Sequence, residues 1–195
     1  MVHHLNTLPT PIDAACIVRS LERPLSVEAT VNPFSAQPAD GTRSPRIFLF
    51  SDTLSISLVA TGVGADVVEL GEATGDVQSL KGELALPIEA SVAPSAPHDR
   101  IVDPTEGVEG TVCRACHDDE APWPDAPGEA FASVAIRPDR DSLLDLDLLA
   151  ELADGCDPTV EPERCAFMDA LFAGEVEHQP FPERFPTIFE LGADP

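Results

Sequence analysis

The stretch from Leu25 to Glu89 constrains the fold most, because short apolar or alternating segments recur there between glycine-bearing turns. Leu25-Ser26-Val27-Glu28-Ala29-Thr30-Val31 alternates apolar and polar residues, the period of a half-buried strand. Arg46 leads into Ile47-Phe48-Leu49-Phe50, an unbroken apolar run suited to a strand covered on both faces. Ser51-Asp52-Thr53 can turn the chain into Leu54-Ser55-Ile56-Ser57-Leu58, which alternates again, and Val67–Leu70 and Glu83–Ile88 complete the set. Gly62, Gly64, Gly71, Gly75 and Gly82 punctuate these segments as turns. Several short strands with short turns predict a small antiparallel β-sandwich or barrel. No ionisable cluster gathers there, so this half reads as a binding or spacer module.

The flanks read differently. Thr10 can cap and Pro11 can open a helix over Ile12–Glu22, with Ala14, Ile17, Val18 and Leu21 on one face. Pro94, Pro97 and Pro104 mark 94–104 as a linker. Beyond it, Ser142-Leu143-Leu144-Asp145 resembles a capping box ahead of a leucine stripe that Gly155 ends. A further helix can start at Pro162 and stop before Gly174, with Cys165, Met168, Leu171 and Phe172 at helical spacing. The tail, with Phe181, Phe185 and Phe189 set among prolines, reads as an extended strap over the domain. The expected fold is therefore α+β. Residues 1–93 would form a short helix plus a β-sandwich, 94–104 a linker, and 105–195 a mainly α-helical domain.

Charge narrows the partners. The 195 residues carry 35 acidic against 11 basic side chains, a net charge of −24, with Lys81 the single lysine. Such a surface repels nucleic acid and anionic membrane. It attracts basic proteins or divalent cations, and it also serves solubility alone. No segment is apolar enough to span a bilayer.

Five cysteines is an odd number. Two of them lie in Cys113-Arg114-Ala115-Cys116-His117, and Cys-x-x-Cys-His reads as a c-type haem attachment site. Two thiols three positions apart can bond to the vinyl-derived carbons of one porphyrin edge, and the next histidine is then placed as proximal ligand. The same pair also fits a redox disulfide, a structural pair, or a zinc site completed by Cys156, Cys165 or His178. A thioredoxin-like motif would follow a strand, which Thr105–Val112 does not supply, and the nine-residue spacing of Cys156 and Cys165 is wide for zinc.

On these five residues the C-terminal part of the chain resembles the mono-haem c-type cytochromes; everything before Pro104 lies outside the resemblance. The resemblance implies haem c on Cys113 and Cys116 with His117 on the iron, and Trp123 packed against the porphyrin. It also implies a helix leading into the motif from Thr105 and a distal ligand C-terminal to it. Met168 is the first candidate and His178 the second. A five-coordinate iron, open to ligand sensing or peroxidase-like chemistry, is the remaining arrangement. With two thiols on haem, Cys156 and Cys165 can close a disulfide, leaving Cys16 unpaired.

Covalent haem and a disulfide both imply a periplasm or cell surface. Residues 1–15 hold no apolar stretch of signal-peptide length, so export requires a signal removed before this numbering. The expected function is electron transfer to a redox partner with a basic face. The alternative is a cofactor-free extracytoplasmic binding or scaffold protein with a disulfide-stapled helical domain. No nucleophile–base pair or phosphate loop supports a hydrolase or transferase.

Overall fold

The computed structural model describes residues 1–191. Two short helices, α1 (Val2–Leu5) and α2 (Ala14–Ser20), precede β1 (Leu25–Thr30), β2 (Arg46–Ser51), β3 (Leu54–Val59), β4 (Val67–Ala73) and β5 (Gln78–Ala85). Then follow α3 (Ala96–Asp99), a 3₁₀ turn (Val112–Ala115), β6 (Ala121–Pro122), β7 (Phe131–Val134) and a second 3₁₀ turn (Arg140–Ser142). The described chain continues through α4 (Leu146–Asp154), α5 (Pro162–Leu171) and β8 (Val176–His178).

These strands lie in one sheet in the order β6-β7-β5-β4-β3-β2-β1-β8. β1 to β5 form an antiparallel meander, β7 adds to β5, and β8 adds to β1 in parallel.

The expected architecture is corrected on two counts. Among the described residues no second sheet faces the first, as a sandwich requires, because helices cover the apolar face instead. That face presents Leu25, Val27, Ala29, Ile47, Leu49, Ile56, Leu58, Val68 and Leu84, all buried. They share one core with Ile17 and Val18 of α2, Leu149 of α4, and Phe167, Met168 and Leu171 of α5. Each such aliphatic or aromatic side chain contributes about 1.5–3 kcal/mol when fully buried.

The C-terminal half is likewise no mainly α-helical cytochrome c-like domain. Its strands β6, β7 and β8 complete both edges of the same sheet, and α3, within the expected linker, packs on β5. The helix expected before the motif is absent because Gly107 (φ 79°) and Gly110 (φ 119°) hold left-handed backbone there.

The remaining helices fall near their expected places, with shifted starts. Asp13 rather than Thr10 caps α2, its Oδ1 accepting from the Cys16 N–H at 2.7 Å. Asp145, not Ser142, occupies the N-cap position of α4, and Gly155 ends that helix. Ser142 Oγ instead donates to the Asp139 carbonyl at 2.7 Å. Cys156 and Cys165 are joined by a disulfide that ties the loop after α4 to α5, with Cα atoms 5.6 Å apart.

The opposite face of the sheet carries the other half of each alternation: Arg46, Phe48, Phe50, Ser55, Ser57, Glu69, Ser79, Lys81 and Glu83. The C-terminal strap crosses this face. Phe181 meets Phe48 and Phe50 edge-on, with ring centroids at 4.8 and 5.0 Å. A cavity remains between strap and sheet.

Candidate functional site

The cavity measures about 330 Å³, within the usual size range of small-molecule sites. Its floor is the polar face of β2 to β5, and Phe181, Phe185 and Ile188 of the strap line it from the other side. The Cys113–His117 turn closes one flank, so Cys113, Cys116 and His117 all line the same space.

Local hydrogen bonds explain how the turn is held. Thr111 Oγ1 accepts from the Cys113 N–H at 3.1 Å, capping the 3₁₀ turn, and donates to Glu120 Oε2. Glu120 Oε1 also accepts from the Thr111 N–H at 2.7 Å. Gly110 holds φ 119°, which side chains rarely adopt, and a Cβ there would sit 2.4 Å from that Glu120 oxygen and push the clamp aside. The Val112 N–H donates to the Ile101 carbonyl at 2.9 Å, and Arg114 pairs with Asp103 at 3.0 Å.

The Cys116 and His117 N–H groups both donate to the Cys113 carbonyl at 3.0 Å, which winds the three motif residues into one compact loop. His117 Nδ1 then donates to the Val134 carbonyl at 2.7 Å, fixing the ring against β7. A carbonyl only accepts, so Nδ1 carries the proton and Nε2 keeps its lone pair.

Burial sets the protonation states. It lowers the His117 pKa to about 4, helped by the nearby Lys81 charge and opposed by the bond to Val134, so the ring is neutral at pH 7. Burial raises the Cys113 thiol to about 11, against the Thr111 hydrogen bond. A thiol held that high is a poor redox nucleophile, and a 3₁₀ turn is not the helix start that activates one. The redox-disulfide reading loses Cys113 as its attacking thiol.

The zinc reading loses its ligands, since Cys156 and Cys165 are bonded to each other. Among the described residues no three His, Cys, Asp or Glu side chains converge to hold a metal ion.

Cations concentrate in the cavity. Arg46, Lys81, Arg137 and Arg184, four of the chain's eleven basic residues, line it. The arginines are engaged: Arg46 with Glu69, Ser35 and Ser57, Arg137 with the Phe185 carbonyl at 2.8 Å, Arg184 with the Asp76 carbonyl. Lys81 Nζ donates to Ser79 Oγ at 2.6 Å, and among the described residues no carboxylate lies within ion-pair distance of it. Burial lowers its pKa to about 8, against the attraction of Cys113 and Glu69.

The other sequence-predicted residues lie elsewhere. Trp123 is half-buried and does not line the cavity; its backbone N–H donates to the Ala130 carbonyl at 2.7 Å. Met168 is 1% exposed in the main core, on the apolar side of the sheet. His178 ends β8, its Nε2 3.2 Å from Glu28 Oε2, and does not line the cavity either.

Sequence reading missed Lys81, Arg46 and Phe48 as cavity residues. The signal was present in the polar positions of the strand alternation, where a lone lysine and an arginine stand beside Phe48 and Phe50. Compared with family models, with curated proteins and with solved structures, the chain matches none.

Proposed function

We propose that this protein is a c-type haem protein that transfers electrons, with haem c held covalently by Cys113 and Cys116 and bound at its iron by His117. One observation carries the reading: His117 gives its Nδ1 proton to the Val134 carbonyl and lines a cavity shared with both thiols. That hydrogen bond is the outer support a metal-binding imidazole needs, because it fixes tautomer and ring orientation and raises ligand basicity.

The residues present suit the group. Each thiol can add its S–H across one porphyrin vinyl, forming a C–S bond with no change of oxidation state. Both cysteines are free for this addition. Phe48, Phe50, Phe181 and Phe185 offer apolar surface to a macrocycle. Cys113 is half-buried and Cys116 exposed, so the attached edge would reach the surface where an electron can leave. When bound, the haem supplies the one-electron chemistry; the chain supplies orientation, burial and an axial nitrogen.

The net charge of −24 favours a redox partner with a basic face. The Cys156–Cys165 disulfide agrees with an oxidising compartment such as a periplasm or cell surface. Among the described residues no helix is long and apolar enough to cross a membrane.

Expression in a periplasm with haem-maturation machinery tests the reading. Red protein whose colour survives acid–acetone is expected, and replacing both cysteines by alanine should abolish the covalent link.

A further inference from the structure

We propose that Lys81 is the sixth ligand of the iron, opposite His117. This rests on the haem reading above and goes beyond it, because neither the motif nor the cytochrome resemblance points to a lysine on strand β5.

Placement comes first. An iron held by His117 takes its second axial ligand from a side chain lining the same cavity. Met168 is sealed in the core beyond the sheet, and His178 sits at the β8 edge against Glu28. Neither lines the cavity.

Donor chemistry then selects among the residues that do. Apart from the motif, the cavity wall holds no histidine, methionine or cysteine. Guanidinium groups cannot give up a proton to ligate, which removes Arg46, Arg137 and Arg184. Glu69 is occupied by Arg46, Glu83 lies 3.6 Å from Arg100, and Asp52 is exposed at the turn between β2 and β3. The primary amine of Lys81 is the strong nitrogen donor that remains.

Lys81 is also placed unlike a surface lysine. It is the chain's only lysine, yet it sits in the cavity and not on the strongly acidic exterior, with Ser79 Oγ as its polar contact. Its Nζ reaches only a neutral hydroxyl, and among the described residues no carboxylate holds it, so nothing ties the amine away from a metal. The flexible four-carbon stem lets the nitrogen seek the iron from a strand fixed between two neighbours, β4 and β7. A His/Lys iron is six-coordinate and low-spin, which suits a carrier and closes the site to exogenous ligands.

The single lysine makes the test direct. Haem-loaded protein is prepared with isotope-labelled lysine, and the reduced form is examined by NMR alongside Lys81→Ala and Lys81→Met. The expected wild-type result is one lysine spin system with its ε-methylene protons moved far upfield by the porphyrin ring current. Its ferric form should be low-spin without a sulfur-to-iron band, and its ferrous form should resist carbon monoxide. Lys81→Ala should be high-spin and bind carbon monoxide readily. Lys81→Met, which fills most of the same space and guards against misfolding of the alanine variant, carries its sulfur two bonds nearer the backbone than the lysine nitrogen and should likewise be high-spin and bind carbon monoxide.

Unshifted lysine resonances in red wild-type protein overturn the inference while leaving the haem reading intact. So does a low-spin spectrum unchanged in both variants. A colourless wild-type protein overturns the haem reading and this inference with it.

Discussion

His117 Nδ1 and the Val134 carbonyl lie 2.7 Å apart, and this bond joins the five-residue motif to a strand seventeen positions further along the chain. It gives the imidazole a fixed tautomer within a cavity wall. Burial, and not this bond, keeps the ring neutral: it lowers the pKa to about 4 although the bond to Val134 pulls the other way.

The first prediction follows from that lowered value and concerns protein made without haem. Between pH 4 and 6.5 the unfolded chain binds a proton at His117 that the folded chain does not. Stability therefore rises with pH across this window and is lost on acidification, by about 3 kcal/mol at most. Urea unfolding at a series of pH values should show His117→Gln with a shallower acid loss than wild type. Parallel pH profiles for the two proteins would contradict a buried neutral ring.

Met168 should behave as a core residue. Met168→Ala is expected to cost about 2–5 kcal/mol of folding stability, as for other large-to-small core changes. The haem spectrum of the surviving folded fraction should not change. Loss of a low-spin spectrum on this substitution would place the methionine at the iron.

Phe181 roofs the cavity by its edge-on contacts with Phe48 and Phe50. Being half-buried, it should lose less than a fully buried phenylalanine on truncation, so Phe181→Ala is expected to cost about 1–3 kcal/mol. In haem-loaded protein, should it form, the opened roof is expected to speed reduction by a small soluble reductant, measured by stopped flow. An unchanged rate would show that the strap does not guard the site.

The Cys156–Cys165 bridge spans a short loop, and removing it with paired alanines should cost about 2–3 kcal/mol in the chain-entropy picture. Arg164 Nη1 donates to Cys156 Sγ at 3.2 Å, so a somewhat larger loss would include that contact. Thermal unfolding with and without reductant reads the same quantity in the unmodified chain.

The strands were legible because alternation of period two is a local property. Leu25–Thr30 and Leu54–Val59 show it residue by residue, and each became a strand. What covers their apolar face was not local. Nothing in Leu25–Glu89 tells whether a second sheet or the α2–α5 helices will lie on Val27, Leu49 and Ile56, and the sandwich expectation failed on that choice. Short edge strands were equally hidden: Ala121–Pro122 and Val176–His178 join the sheet through tertiary pairing and carry little pattern of their own.

At the site, the spacing of Cys113, Cys116 and His117 announced the motif, and the phenylalanine–proline tail announced the strap. The cavity's other residues stayed silent because they belong to the polar positions of the alternation. There, lysine and arginine ordinarily mean solvent. Met168 misled for a related reason: helical spacing marks an apolar stripe without saying which face of the sheet that stripe will meet.

The most direct test of the central claim is the mass of the intact protein, made in a periplasm with haem-maturation machinery and denatured in acid–acetone before measurement. The expected result is a mass increased by one haem, with peptide mapping that places it on the fragment holding Cys113 and Cys116. An unmodified mass from that host, with both thiols free to react with an alkylating reagent, would contradict it.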